Sequence, residues 1–167
     1  MPDNVTFEPL LLTHRHLITD WTALPHVKEW WSDAAANVDR FFDEDDDRAS
    51  FIACIGQEPT AYIQSWAPTP HKDYPWQRQL TLSTRGIDMF IGPVSKLGIG
   101  YGHLIAKCFA RRLFADGATR IVVDPDKRNQ RAIAAYARAG FRPYDEAGGN
   151  VLMELWPDCT PSNLRHP

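Results

Sequence analysis

Gly98, Gly100 and Gly102 alternate with Ile99 and Tyr101 at a junction between two different periodicities. Before them, residues 87–91 are apolar and β-favouring. After them, residues 103–114 set Leu104, Ile105, Cys108, Phe109 and Leu113 at helical spacing. A strand feeding a helix through such a turn lets the backbone approach a ligand, with N–H groups and the positive helix end aimed outward. That arrangement attracts phosphate. A dinucleotide site needs Gly-x-Gly-x-x-Gly. Here the third glycine comes one residue early, although Asp124 ends a later strand-like run at a suitable distance. A P-loop needs Gly-Lys-Ser/Thr, which His103 and Leu104 exclude. Taken alone, the glycines leave a phosphate site and a bare turn as open alternatives.

The chain around this turn has 167 residues, enough for one domain with a proper core. We expect that domain over residues 1–158 and a tail over 159–167. No apolar run is long enough for a membrane span, and the first residues lack the pattern of a signal peptide. Cys54, Cys108 and Cys159 are odd in number and widely spaced, which suits a reduced cytoplasm and neither a disulfide framework nor a zinc site. The six histidines have no ligand-like spacing, so no metal is expected. Charge is unevenly spread: residues 1–84 carry a net −7 and residues 85–167 a net +4. Such a split fits an anion held by the second half and a cation faced by the first. Basic residues interleaved with apolar ones, in an acidic total, argue against nucleic acid.

Along the chain, residues 5–11 alternate as a strand, and 14–31 have helical spacing broken at Pro25. Residues 37–42 form a short helix, and 43–47 are five successive acids that read as a solvated loop able to steer a cation. A hairpin comes next, 50–55 and 60–66, then a proline-containing loop over 67–79 that includes Pro70 and His71. Residues 80–91 contain the next strand, interrupted at Gly86. After the glycine turn come a helix to about 114, a strand over 120–123, a helix over 129–139 and a last strand over 151–156. Hairpins first and crossovers later indicate a mixed α/β sheet, not a doubly wound one. In the 129–139 segment Asn129 is an N-cap and Gly140 a left-handed C-terminal residue. Ile133, Tyr136, Ala137 and Gly140 share one face, where a tyrosine is more often core than catalyst.

Together, the glycine turn and the Asn129…Tyr136…Gly140-Phe141 helix resemble the GNAT N-acetyltransferase superfamily. The likeness is closest to the aminoglycoside 6′-N-acetyltransferases. It extends to His26-Val27-Lys28-Glu29-Trp30-Trp31, Ala61-Tyr62-Ile63-Gln64-Ser65, Arg85-Gly86-Ile87-Asp88, and Asp124-Pro125 with Asn129, Arg131, Ala132 and Ile133. The turn of that superfamily usually begins with Gln or Arg, where Leu97 stands here. A side-chain phosphate contact is then lost, with Lys96 and Arg131 as possible substitutes.

The resemblance implies a mixed, mostly antiparallel sheet splayed at the site of acetyl-CoA and flanked by helices. It implies acetyl transfer from acetyl-CoA to the 6′-amino group of an aminoglycoside, and so antibiotic resistance, by a cytoplasmic monomer or homodimer. Asp88 would take the amine proton, and Tyr136 would protonate the departing sulfur. A backbone N–H from residues 89–91, beside a bulge, would hold the oxyanion. Coenzyme contacts are implied for Phe90, Ile91, Leu97, Gly98, Ile99, Gly100, Tyr101, Gly102, His103, Asp124, Asn129, Ala132 and Tyr136. Substrate contacts are implied for Trp30, Trp31, Gln64, Tyr74, Trp76, Asp88 and Asp124, the aromatics offering flat faces to sugar rings. Siderophore-type acyltransferases acting on hydroxylysine are the near alternative, although they usually carry His where Asp88 stands. From another class, a coenzyme A-binding module without turnover would share the turn.

Overall fold

Seven strands form one sheet in the order β1-β2-β3-β4-β5-β7-β6. The computed structural model describes residues 4–69 and 74–158. Pro70, His71 and the expected tail with Cys159 and His166 lie outside the described residues. The strands are β1 (Val5–Pro9), β2 (Arg48–Ile55), β3 (Glu58–Trp66), β4 (Thr84–Ile91), β5 (Arg120–Val123), β6 (Arg142–Ala147) and β7 (Asn150–Leu155). Helices α1 (Arg15–Thr22) and α2 (Pro25–Lys28) lie between β1 and β2. Helix α3 (Tyr101–Ala115) comes after β4, and α4 (Gln130–Ala139) after β5. Pairing is antiparallel except between β4 and β5.

Alternation along the central strands feeds two cores. Ala53, Ile63, Ile87 and Val123 face α3 and α4, meeting Ile105, Phe109, Tyr136 and Phe141. The intervening Ile52, Cys54, Tyr62 and Phe90 face the other layer, meeting Ile18, Trp21, Val27 and Phe41. Both faces of β2–β4 are therefore covered, which accounts for their near-continuous apolar runs. Pro25 begins α2, since its missing N–H and fixed φ suit a first turn. In α4, Asn129 Oδ1 accepts the Ala132 N–H at 3.1 Å, and Gly140 closes the helix at φ +106°.

Three expectations need correction. First, β4, which lies within the expected 80–91, runs unbroken through Gly86. Trp66 lies across Gly86 in register, and a Cβ there would stand 1.8 Å from the indole. Glycine thus serves close packing at this position, not interruption. Second, β6 had no signal: Arg142-Pro143-Tyr144-Asp145-Glu146 is exposed on both faces, so no apolar alternation marks it. Third, the sheet opens without a bulge in β4, whose register with β3 is continuous from Ala61↔Ile91 to Trp66↔Gly86. It opens because β5 pairs with β4 only at Thr84–Gly86 and then ends at Val123, while β4 continues to Ile91.

Candidate active site

The opening between β4 and β5 holds two adjoining cavities. The larger, about 720 Å³, is lined by Leu97, Gly98, Gly100, Gly102 and His103 from the turn and first turn of α3. Phe90 and Ile91 of β4 line it too, as do Asn129, Ala132 and Tyr136 of the α4 segment. Gly98 and Gly100 have φ of +73° and +95°, conformations that side chains rarely adopt. They turn the chain so that the N-terminal N–H groups of the fifteen-residue α3 open on this space. Arg131 and Arg138 also line it, seven residues apart on one face of α4 with Ala134 and Ala135 between them. The His103 imidazole stands at the first turn of α3, on the Gly100 side of this wall. Burial, then the charges of Arg138 and Lys107, hold its imidazole below the ordinary range. Lys96 lines the cavity while its ammonium meets Glu58 at 2.5 Å. This end is cationic.

The second cavity, about 430 Å³, is anionic. Asp88 from β4, Asp124 from the end of β5, Asp126 and Glu29 line it with Trp30, Trp31 and Asn150. Tyr136, Glu29, Trp30, Trp31, Met89, Asn129 and Ala132 belong to both walls, so the two spaces adjoin along these residues, the Tyr136 ring among them. Arg128 also lines both; its guanidinium pairs with Asp126 at 2.8 Å and stands 5.8 Å over the Trp30 ring. Gly92 donates its N–H to Thr60 O at 2.9 Å. Antiparallel alternation then turns the N–H groups of Met89 and Ile91 away from β3, toward the side that β5 has left. Consistently, Ile91 O meets His26 Nε2 on that side, at 2.9 Å.

Electrostatics set the carboxylates apart. Burial raises the Asp88 carboxyl, while donors from Gln64 (Nε2 to Oδ2, 2.8 Å) and the Trp66 indole oppose that shift. Asp124 is pushed from 3.8 to about 7, first by burial and then by the charge of Asp88. Burial and these two acids push the Tyr136 hydroxyl well above its ordinary value, so it keeps its proton. Between pH 4 and 7 the folded chain therefore binds more protons at Asp124 than the unfolded chain, and stability falls as pH rises through this window. Asp124→Asn removes the cost. In thermal melts of the free protein it should be clearly more stable than wild type at pH 8 and nearly equal at pH 4. An equal gain at both pH values would contradict this origin.

Of the expected site residues, the structure brings most to these walls. Asp124 lines the anionic cavity and not the cationic one. Gln64 lines neither cavity and stands behind Asp88 as its donor. Ile99 is exposed between two left-handed glycines, and Tyr101, the first residue of α3, packs on the core. Trp76 is 6.0 Å from Trp66, edge-on, and Tyr74 is half exposed; neither reaches a cavity wall. The acids of 43–47 are exposed and away from both walls. Arg138, Arg128, Asp126 and Asn150 join the walls without having been expected from sequence. Only Arg138 carried a signal, its spacing of seven from Arg131 on a helix whose cavity face also holds Ala132, Ala134, Ala135 and Tyr136.

A splayed mixed sheet with a glycine turn at the start of a helix, opposite a buried acid, is the architecture of an acyl-transfer enzyme. A family model described as "Acetyltransferase (GNAT) domain" matches residues 11–148. The chain belongs to this GNAT acetyltransferase family. Among curated proteins, Aminoglycoside N(6′)-acetyltransferase type 1 of Klebsiella pneumoniae is 28% identical over 149 residues, spanning 83% of this chain and 74% of the relative. The Kanamycin resistance protein of Rhizobium radiobacter is 37% identical over 67 residues, 40% of this chain and 62% of that protein. Among solved structures, AAC(6′)-Ib in complex with Parmomycin and AcetylCoA has a TM-score of 0.85 at 28% identity, covering 93% of this chain and 94% of that one.

Proposed function

We propose that the protein transfers the acetyl group of acetyl-CoA to the 6′-amino group of aminoglycosides, by direct attack of the amine on the thioester. The observation that carries this reading is a cationic cavity adjoining an anionic one along shared residues, the Tyr136 ring among them. The first suits the phosphates of coenzyme A, and the second suits a polyamine. The names of the relatives, an aminoglycoside N(6′)-acetyltransferase and a kanamycin resistance protein, support the same acceptor.

In this reading, Asp88 and Asp124 attract the ammonium form of the acceptor, and Asp88 takes the proton that the attacking nitrogen must lose. Desolvation makes Asp88 a stronger base than a free carboxylate. The N–H groups of Met89 and Ile91 face the acyl oxygen and stabilise its developing negative charge. Tyr136 donates to the sulfur as it leaves. Trp30 and Trp31 offer aromatic faces to the sugar rings, and Arg131, Arg138 and the α3 N-terminus hold the phosphates.

Thiol release with acetyl-CoA and kanamycin-, gentamicin- or neomycin-type drugs tests this, with lysine and hydroxylysine as controls. Release with the drugs and not the controls is expected; silence with every drug would overturn the acceptor assignment. Tyr136→Phe is expected to lower kcat about tenfold, with little change in the aminoglycoside KM. A defect confined to KM would remove Tyr136 from the leaving-group step.

A further inference from the structure

Behind Asp88 a row of polar side chains crosses three strands. Ser50, Gln64 and Asp88 are register partners on β2, β3 and β4, and Tyr62 stands two residues from Gln64 on the same face of β3. The Tyr62 hydroxyl donates to Gln64 Oε1 at 2.6 Å, and Gln64 Nε2 donates to Asp88 Oδ2 at 2.8 Å. Ser50 Oγ lies 3.0 Å from the Tyr62 hydroxyl. A tyrosine hydroxyl has a single proton, and Gln64 receives it, so Ser50 is the donor in the remaining contact. All three protons point along the row toward Asp88.

A glutamine amide has two faces of nearly equal shape, and only one presents N–H to Asp88. Tyr62 decides between them. Burial pushes its hydroxyl up to about 12, so it stays protonated and requires an acceptor, which is Oε1. Its ring has no room to turn away: it is fully buried, 5.4 Å from Phe90, 4.9 Å from Phe41 and 6.0 Å from Trp31. We propose that Tyr62, backed by Ser50, is a positioning residue for acetyl transfer that locks the Gln64 amide with its donor toward Asp88. This rests on the base role given to Asp88 above.

The groups that face Asp88 are Gln64, Trp66 and Tyr62 from β3, Asp124 just after β5 and Tyr136 from α4, and Glu29, Asp126 and Arg128 line the same cavity. Arg48 of β2 is the cation whose charge reaches Tyr62. Burial favours the neutral Asp88 acid, and the Gln64 and Trp66 donors oppose it. Without the Tyr62 hydroxyl, the Gln64 amide is free to turn its carbonyl toward a protonated Asp88. The balance then moves to the neutral acid.

Carboxyl carbon-13 NMR titration of the aspartate-labelled protein reads this directly, with Asp88→Asn assigning the resonance. In Tyr62→Phe the Asp88 midpoint is expected to rise by about one pH unit. The acid limb of the kcat/KM profile should rise with it, and Ser50→Ala should give a smaller rise in the same direction. An unmoved Asp88 midpoint in a folded Tyr62→Phe protein overturns the proposal. If Tyr62→Phe does not fold, an unmoved midpoint in Ser50→Ala does so. A protein whose Asp88 titration shifts as stated, but which acetylates no aminoglycoside, refutes the proposed function and leaves the relay standing.

Discussion

Asp88→Asn is expected to lower kcat for aminoglycoside acetylation by about 10²–10⁴-fold, while the affinity for coenzyme A stays within about twofold. The split arises from where Asp88 sits. It lines the anionic cavity and is absent from the wall of the cationic cavity proposed for coenzyme A. Asparagine keeps the shape and can still bond Gln64 or the Trp66 indole, so packing behind it is preserved. It cannot accept a proton from the attacking nitrogen. The remaining rate reflects proximity and the backbone N–H groups of β4. Initial rates at saturating acetyl-CoA, beside calorimetric binding of coenzyme A, give both numbers. A rate within threefold of wild type would strip Asp88 of its role as base.

The second large effect concerns stability and rate together. Gly86→Ala places a methyl 1.8 Å from the Trp66 indole, and the ring must move. Trp66 packs edge-on to Trp76 at 6.0 Å, and its indole is one of the groups that hold Asp88 toward its charged form. Displacing it costs packing and removes a donor that favours the Asp88 carboxylate. We expect a loss of about 3 kcal/mol in unfolding free energy, with an acid limb of kcat/KM moved to higher pH in the folded fraction. Chemical denaturation and a pH-rate profile of the same preparation measure the two effects. A destabilised variant with an unmoved limb would mean that Trp66 packs against Gly86 without tuning Asp88.

Much of this site could be read from residue order because its parts are local. Asn129, the alanines after it and Gly140 specify α4 within ten residues, and that helix carries Tyr136 to the cleft. The glycines likewise announce a turn whose strain only glycine tolerates. Features set by tertiary packing left no such trace. Strand β6 pairs with β7 through its backbone while its side chains face water, so neither periodicity nor hydrophobicity marks it. The departure of β5 from β4 after Gly86 is decided by unequal strand lengths and by the loops that leave each strand. Trp76 looked like a sugar platform, being aromatic and near prolines, yet it packs against Trp66. Tyr62, quoted only as part of a family-like run, required the register of three strands before its hydroxyl could be connected to Asp88.

The short parallel seam has a consequence for how the molecule persists. Thr84–Gly86 and Arg120–Val122 are the only residue pairs that join β1–β4 to β5–β7 within the described sheet. The cleft beyond the seam is walled by β4 on one side and by the α4 segment on the other. A molecule lodged there bridges two arms that the backbone ties together over three residues. Acetyl-CoA then acts as a removable cross-brace, and at a hundredfold excess over its dissociation constant such a ligand adds about 2.7 kcal/mol. The donor that the reaction consumes would thereby also prolong the folded lifetime of the protein that consumes it.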